Sequence, residues 1–289
     1  MRHLRILAYL ITSIFVASCS VGRFLVVSSA RPFFEDAMTS LMQESDPEIA
    51  RLAMASDLKL LEGMLVSTPN SPHLLSMAAR GFAGYAMLFY DPVEGEKAKE
   101  LYRRSLNYGL RVLAERDPVF GQRESRFKDF ENAIGSVHNE DIEVVYWAAV
   151  AWAGWINLSR TDPMALAEFP RVRLLMDWVS QRDETYFFCG PNWFYGVYYS
   201  TLPPIVGGDA KKSKEYFEKA IDATDGKFLW GKLYYAQTYA VQTLDRVLFE
   251  QILNEIIQAA ANELPDANLL NEVARVRAKS LLGKAGELF

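Results

Sequence analysis

The chain has 289 residues, half of them apolar, a formal net charge of −5 and two cysteines. That is long enough to bury a large core and too apolar to remain disordered. The acidic balance argues against nucleic acid as a partner, and two cysteines cannot frame a disulfide-built fold.

The first residues carry Arg2 and Arg5, then an apolar run from Ile6 to Val16, then Val16-Ala17-Ser18-Cys19. This is the anatomy of a secretory signal peptide over residues 1–18, with an apolar segment too short to span a bilayer stably. Small residues before a cysteine resemble the bacterial lipobox, in which cleavage leaves the cysteine as an acylated N-terminus, so Cys19 is the expected lipidation site. An ordinary signal peptide, or an anchor with an incidental cysteine, is the competing reading. Two or three acyl chains hold a protein on a membrane where one does so only marginally. Ser20 rather than Asp after the cysteine favours the outer membrane, with the protein in the periplasm and touching the membrane through its lipid alone. Loss of residues 1–18 removes two arginines and no acid, which takes the net charge to −7. Cys189 is then the one remaining thiol, expected to be a small buried hydrophobe.

Residues 19–32 form a short tether, and Arg31-Pro32 marks the start of a single folded domain over 33–289. Asp46-Pro47 opens a helix from Glu48 to Val66, with Leu52, Leu58, Leu61 and Leu65 at helical spacing. A helix from Pro72 to Tyr90, a turn at Asp91 to Gly95 and a helix from Glu96 to Arg116 follow. Phe82, Tyr85, Ala86 and Phe89, then Ala98, Tyr102 and Ser105, fall at the spacing of a tetratricopeptide unit. Ser213, Phe217, Ala220 and Ile221 repeat Ala98, Tyr102, Ser105 and Leu106 at a distance of 115 residues. Between the copies, Asp117 to Ser136 is polar loop with a short helix. Asp141 to Leu158 is apolar enough after Glu143 to be a central core helix. Pro163 opens a helix to Ser180. After Gly207-Gly208-Asp209 come helices over Ala210 to Ala223, Phe228 to Thr243, Asp245 to Leu264 and Asp266 to Leu282. No segment alternates in the manner of a strand. The expected fold is all-α, with antiparallel helix pairs in a tetratricopeptide-like, right-handed superhelical array, whose concave surfaces bind more often than they catalyse.

Thr185 to Gly208 has no charged side chain and carries eight aromatics between Tyr186 and Tyr199. Gly190-Pro191 and Pro203-Pro204 interrupt it, which leaves a short aromatic helix from Asn192 to Leu202 with a loop at each end. At helical spacing Tyr195, Tyr198 and Tyr199 share a face, apolar rings with polar tips of the kind that line pockets and interfaces. With Trp193, Pro203 and Pro204 they form the candidate ligand or partner surface, against the plainer reading that most of these rings are core. Gly207, Gly208 and Asp209 are read as turn chemistry, with Asp209 as helix cap.

Residues for catalysis are not evident. His73 and His138 lack metal-ligand spacing, there is no nucleophile elbow, phosphate loop or dinucleotide fingerprint, and the carboxylate pairs fit solvated helix starts. No enzyme activity, cofactor or metal is expected.

The lipobox, the degenerate helix pairs, and above all Trp193-Phe-Tyr195-Gly-Val-Tyr198-Tyr199 through Leu202-Pro203-Pro204-Ile-Val-Gly207-Gly208-Asp209 into Ala210-Lys-Lys-Ser-Lys-Glu-Tyr-Phe-Glu-Lys-Ala resemble the T-component family of tripartite ATP-independent periplasmic (TRAP) transporters. Gly84-Tyr85-Ala86 to Tyr90-Asp91 and Lys97-Ala98 fit it too. The resemblance implies a periplasmic lipoprotein, assembled as a homotrimer, that docks a solute-binding P protein and helps deliver an organic, hydrophobic ligand to a permease. It supplies no catalytic residues. The alternative is a lipid-anchored scaffold for envelope assembly that binds no small molecule; an envelope hydrolase is the remainder.

Overall fold

The computed structural model describes residues 32–289 except Pro92 and Arg123, so the signal peptide, Cys19 and nearly all of the tether lie outside the described residues. Among these residues the fold is all-α and contains no strand. A first helix, α1 (32–42), had no sequence forecast, although Phe34, Met38 and Leu41 recur on one face. The next, α2 (Pro47–Ser67), starts where Asp46 accepts from the amides of Glu48 and Ile49, with Pro47 in the first turn, where a missing N–H is harmless. Its buried face is Ala50, Met54, Leu58, Leu61 and Leu65. Leu52 points to solvent instead.

Helix α3 (Pro72–Tyr85), capped by Ser71, runs on into a π-helical turn, Ala86–Tyr90, and pairs with α4 (Gly95–Leu113). The second copy, α9 (Tyr186–Thr201) with α10 (Ala210–Ala223), repeats this hairpin, and α10 keeps the limits expected of it. Each hairpin is pinned by one serine hydroxyl donating to the partner backbone, Ser105 to the Ala79 carbonyl at 2.6 Å and Ser213 to the Gly196 carbonyl at 2.7 Å. Small residues permit the approach: a Cβ on Gly196 would sit 2.8 Å from the Phe217 ring.

Between the hairpins lie the short α5 (Phe127–Ala133) and then α6 (Ile142–Asn157), whose residues Val144 to Ala149, Ala151, Trp152 and Ile156 are buried. No helix among the described residues is long and apolar enough to cross a membrane. The helix expected from Pro163 to Ser180 is two, α7 (Pro163–Ala167) and α8 (Phe169–Arg182). Pro170 cannot donate to the preceding turn, so the chain restarts there. The last elements are α11 (Leu229–Tyr234), continued by a second π-helical turn at Tyr235–Ala240, α12 (Arg246–Gln258), α13 (Asn268–Gly283) and α14 (Ala285–Leu288). The expected helix to Leu264 ends early, at Gln258, where the Arg275 guanidinium takes the free carbonyls of Ala259 and Ala260.

Successive packing of α2, α3, α4, α6, α8, α9, α11 and α13 comes full circle, because α13 returns to α2. Asn268 on α13 donates to the Gln43 carbonyl at 3.2 Å, and Arg277 donates to the carbonyls of Met87 and Leu88, 2.7 Å each. The second bond pair has a local cause. The Asp91 amide bonds to the Ala86 carbonyl in π register, and the Val93 amide turns to Tyr90. The donor that Met87 or Leu88 would use next belongs to Pro92, which has no N–H. Arg277 supplies what the proline withholds, and the array closes into a ring.

Candidate functional site

The stretch from Thr185 is coiled from its start, not from Asn192. Phe187, Phe188 and Cys189 take φ of 47°, 56° and 63°, one left-handed turn ahead of the right-handed helix. Each such residue costs roughly 1–2 kcal/mol. Aromatic packing on both sides offsets it: Phe187 stands edge-on to Trp147 at 4.8 Å, and Phe188 stacks on Phe228 at 5.0 Å. The turn's carbonyls are also used, that of Thr185 by the Cys189 amide at 3.0 Å and that of Phe188 by the Trp193 indole at 2.7 Å. Cys189 is buried, as expected, and burial pushes its thiol above the ordinary range.

The candidate residues on α9 divide. Trp193 is 5% exposed and lies over Gly231, between Phe217 and Phe228, so it is core. Tyr195 is 6% exposed, its ring 5.1 Å from Tyr216 and its hydroxyl donating to Asp177 of α8. Burial, and then that carboxylate, raise its phenol. Tyr198 and Tyr199 are half-buried: Tyr198 leans on Phe169 at 5.4 Å, while Tyr199 stacks on Tyr216 at 5.7 Å. Pro203 and Pro204 are exposed, beside Ile205 at 94% exposure. The shared face therefore looks toward α8 and α10, and only its C-terminal end reaches solvent. Replacing Tyr195 by alanine opens a core hole, so it is a poor probe of binding. Beyond the prolines, Gly207 takes φ 103°, a Cβ on Gly208 would collide with the Leu202 carbonyl, and Asp209 caps α10 through the Lys212 amide at 3.1 Å, which is turn chemistry throughout.

A second group, which helical spacing could not disclose, faces the inside of the ring. Tyr102 comes from α4, Tyr146 from α6, Tyr186 from α9, Trp230 and Tyr234 from α11, and Arg277 from α13, with Asp91 at the end of the first π turn. Tyr102 donates to the Asp91 carboxylate at 3.0 Å and fills the space beside Gly154. Tyr146 meets Tyr186 at 5.1 Å and Phe187 at 5.7 Å. The Arg277 guanidinium lies over the Trp230 ring at 4.7 Å, and Tyr234 stands edge-on to Trp230 at 5.6 Å.

Two observations describe the space between these side chains. Burial drives the Asp91 carboxyl and the Tyr234 phenol up and the Arg277 guanidinium down, which places all three deep in the molecule. Yet Asp91, Tyr234 and Arg277 are half-buried, as are Val150, Ala153 and Gly154 along one side of α6, so solvent reaches them. Groups this deep that keep solvent contact point to a hollow between α4, α6, α11 and α13. Aromatic rings and hydroxyls lie around it, with Arg277 and Asp91 among them.

The described residues contain no group of three or more His, Cys, Asp or Glu able to hold a metal. No curated protein matches the chain. The model of the TRAP transporter T-component family matches residues 43–289, which takes in every element from α2 to α14 and both the α9 face and the hollow. The chain belongs to the TRAP transporter T-component family, and an accessory role in TRAP transport follows.

Proposed function

We propose that the protein is a non-enzymatic, periplasmic accessory subunit, anchored through lipid on Cys19 in the inner leaflet of the outer membrane and assembled as a homotrimer. It docks the solute-binding P protein of its transporter and helps pass an organic ligand with a large apolar body toward the permease. The hollow is the observation that supports this reading. A packed core would have sealed Tyr234, Arg277 and Asp91, whereas each keeps contact with solvent beside phenols and the Trp230 indole. The exposed Pro203-Pro204-Ile205 corner is the surface we assign to the P protein, because it is where the aromatic face of α9 ends in solvent.

Co-purification with the P protein encoded beside the transporter tests the reading. A complex that survives gel filtration and is weakened by Ile205→Asp is expected. Absence of any complex at high micromolar concentration, together with a monomer that carries no small molecule, would favour a lipid-anchored scaffold instead.

A further inference from the structure

Helix α2 is apolar on two opposite sides, and the ring covers only one of them. Ala50, Met54, Leu58, Leu61 and Leu65 face inward and are buried. On the other side Ile49, Leu52, Leu60 and Val66 are exposed, from 54% at Leu60 to 84% at Val66, along about 27 Å of helix. Ser56 and Gly63 lie between them, and a Cβ on Gly63 would meet nothing within 4 Å, so no other part of the described chain lies over that position. Single exposed aliphatics are ordinary, but four in register on one helix form a face of the kind that rests on a partner or a membrane.

The place where the chain enters the fold favours the membrane. Phe34 and Ala37, in the first turns of α1, share a small apolar cavity with Asp57, Leu58 and Leu61, so the chain enters beside the turn of α2 that carries Leu60. From Pro32 back to Cys19 is 13 residues, a reach of at most about 45 Å. Residues 20–31 hold two cations, Arg23 and Arg31, no acid, and the apolar run Phe24-Leu25-Val26-Val27, a composition that suits a lipid surface although the whole chain is acidic. Lys59 stands between Leu52 and Val66 in the same row, 74% exposed. Its bond to Glu62 leaves two ammonium donors for phosphate headgroups, with the aliphatic part of the face free to lie deeper.

We propose that the outward face of α2 lies on the bilayer that carries the anchor, with Ile49, Leu52, Leu60 and Val66 in the headgroup layer. The inference rests on the reading of Cys19 as lipidated. A tether this short keeps the face close to the membrane at all times, so a contact too weak to hold a free protein there suffices. In the order of packing, α8 and α9 lie across the ring from α2, and the contact therefore turns the Pro203-Pro204-Ile205 corner toward the periplasm.

The test is site-directed spin labelling of the full chain, processed in a bacterial envelope and reconstituted in vesicles of phosphatidylethanolamine and phosphatidylglycerol. Cys189 is buried and should not label, so Leu52→Cys, Leu60→Cys and, across the ring, Ile205→Cys each place one nitroxide. At 52 and 60 the nitroxide should collide with oxygen and be shielded from a water-soluble nickel chelate, while at 205 the chelate should reach it. Adding Leu60→Glu should return the label at 52 to the chelate, and since both positions are exposed the fold survives the change. Shielding from oxygen and chelate alike at 52 and 60 would mean that protein, a second copy included, covers the face, and would overturn the inference. Chelate access at all three positions in chain that floats with the vesicles would overturn it while sparing the anchor. Chain that does not float with the vesicles would overturn both.

Discussion

At the scale of single residues, the fold depends on polar side chains that span between elements. Glu62 on α2 is 15% exposed and receives Lys59 at 2.7 Å, Tyr108 at 2.9 Å and the guanidinium of Arg104, the last two from α4. Burial alone would raise its carboxyl, but these three donors outweigh it and hold the group at about 2, below its ordinary 4.5. A depressed carboxylate stabilises the folded state fully above its unfolded pKa and loses that contribution as pH falls toward the folded one. Glu62→Gln should therefore cost about 2 kcal/mol at neutral pH in urea unfolding, and the difference from the wild type should shrink below pH 4.5 and vanish near pH 2. A difference that stayed constant across that range would mean the carboxylate's charge contributes nothing.

At the scale of elements, the left-handed turn of α9 makes a prediction whose sign is unusual. Within a right-handed helix, glycine is less stable than alanine by about 1 kcal/mol. At Cys189, with φ 63°, the order should invert: Cys189→Gly should be more stable than Cys189→Ala by about 1 kcal/mol, read from paired denaturant midpoints. What the amino-acid order discloses at this scale is whatever is encoded locally. Asp46 opens the helix it was expected to open, Asp209 caps the one it was expected to cap, and the 115-residue repeat located both hairpins, since caps and small-residue spacings need only near neighbours. The left-handed turn was invisible because no glycine announces it; Trp147 and Phe228 hold it from distant parts of the chain. The candidate site was legible in the same measure. The charge-free stretch was the right neighbourhood, but its leading turn, Tyr186 and Phe187, faces the hollow, whereas Trp193 and Tyr195 pack as core. Arg277 lies 190 residues from Met87, so no spacing rule could have joined them.

At the scale of the whole molecule, the ring changes how the array should come apart. An open stack of helical repeats frays from its ends, because each repeat touches only its neighbours. Here the seam between α13 and α2 holds the ends together. Loosening it with Arg277→Met and Asn268→Ala should cost about 2–4 kcal/mol, the penalty of unpaired buried carbonyls. Native-state hydrogen exchange should then show α2 and α13 losing protection well before α6. A uniform loss across all three would show that closure adds nothing to cooperativity.

The bonds that close the seam end on main-chain oxygens rather than on side chains. Substitution at positions 87 or 88 therefore leaves them intact, while deleting a single residue between Ala86 and Tyr90 would rotate those oxygens away from the guanidinium without changing any chemical group it uses. What the seam depends on is therefore helical register: the ring stays shut for as long as the π turn keeps its extra residue.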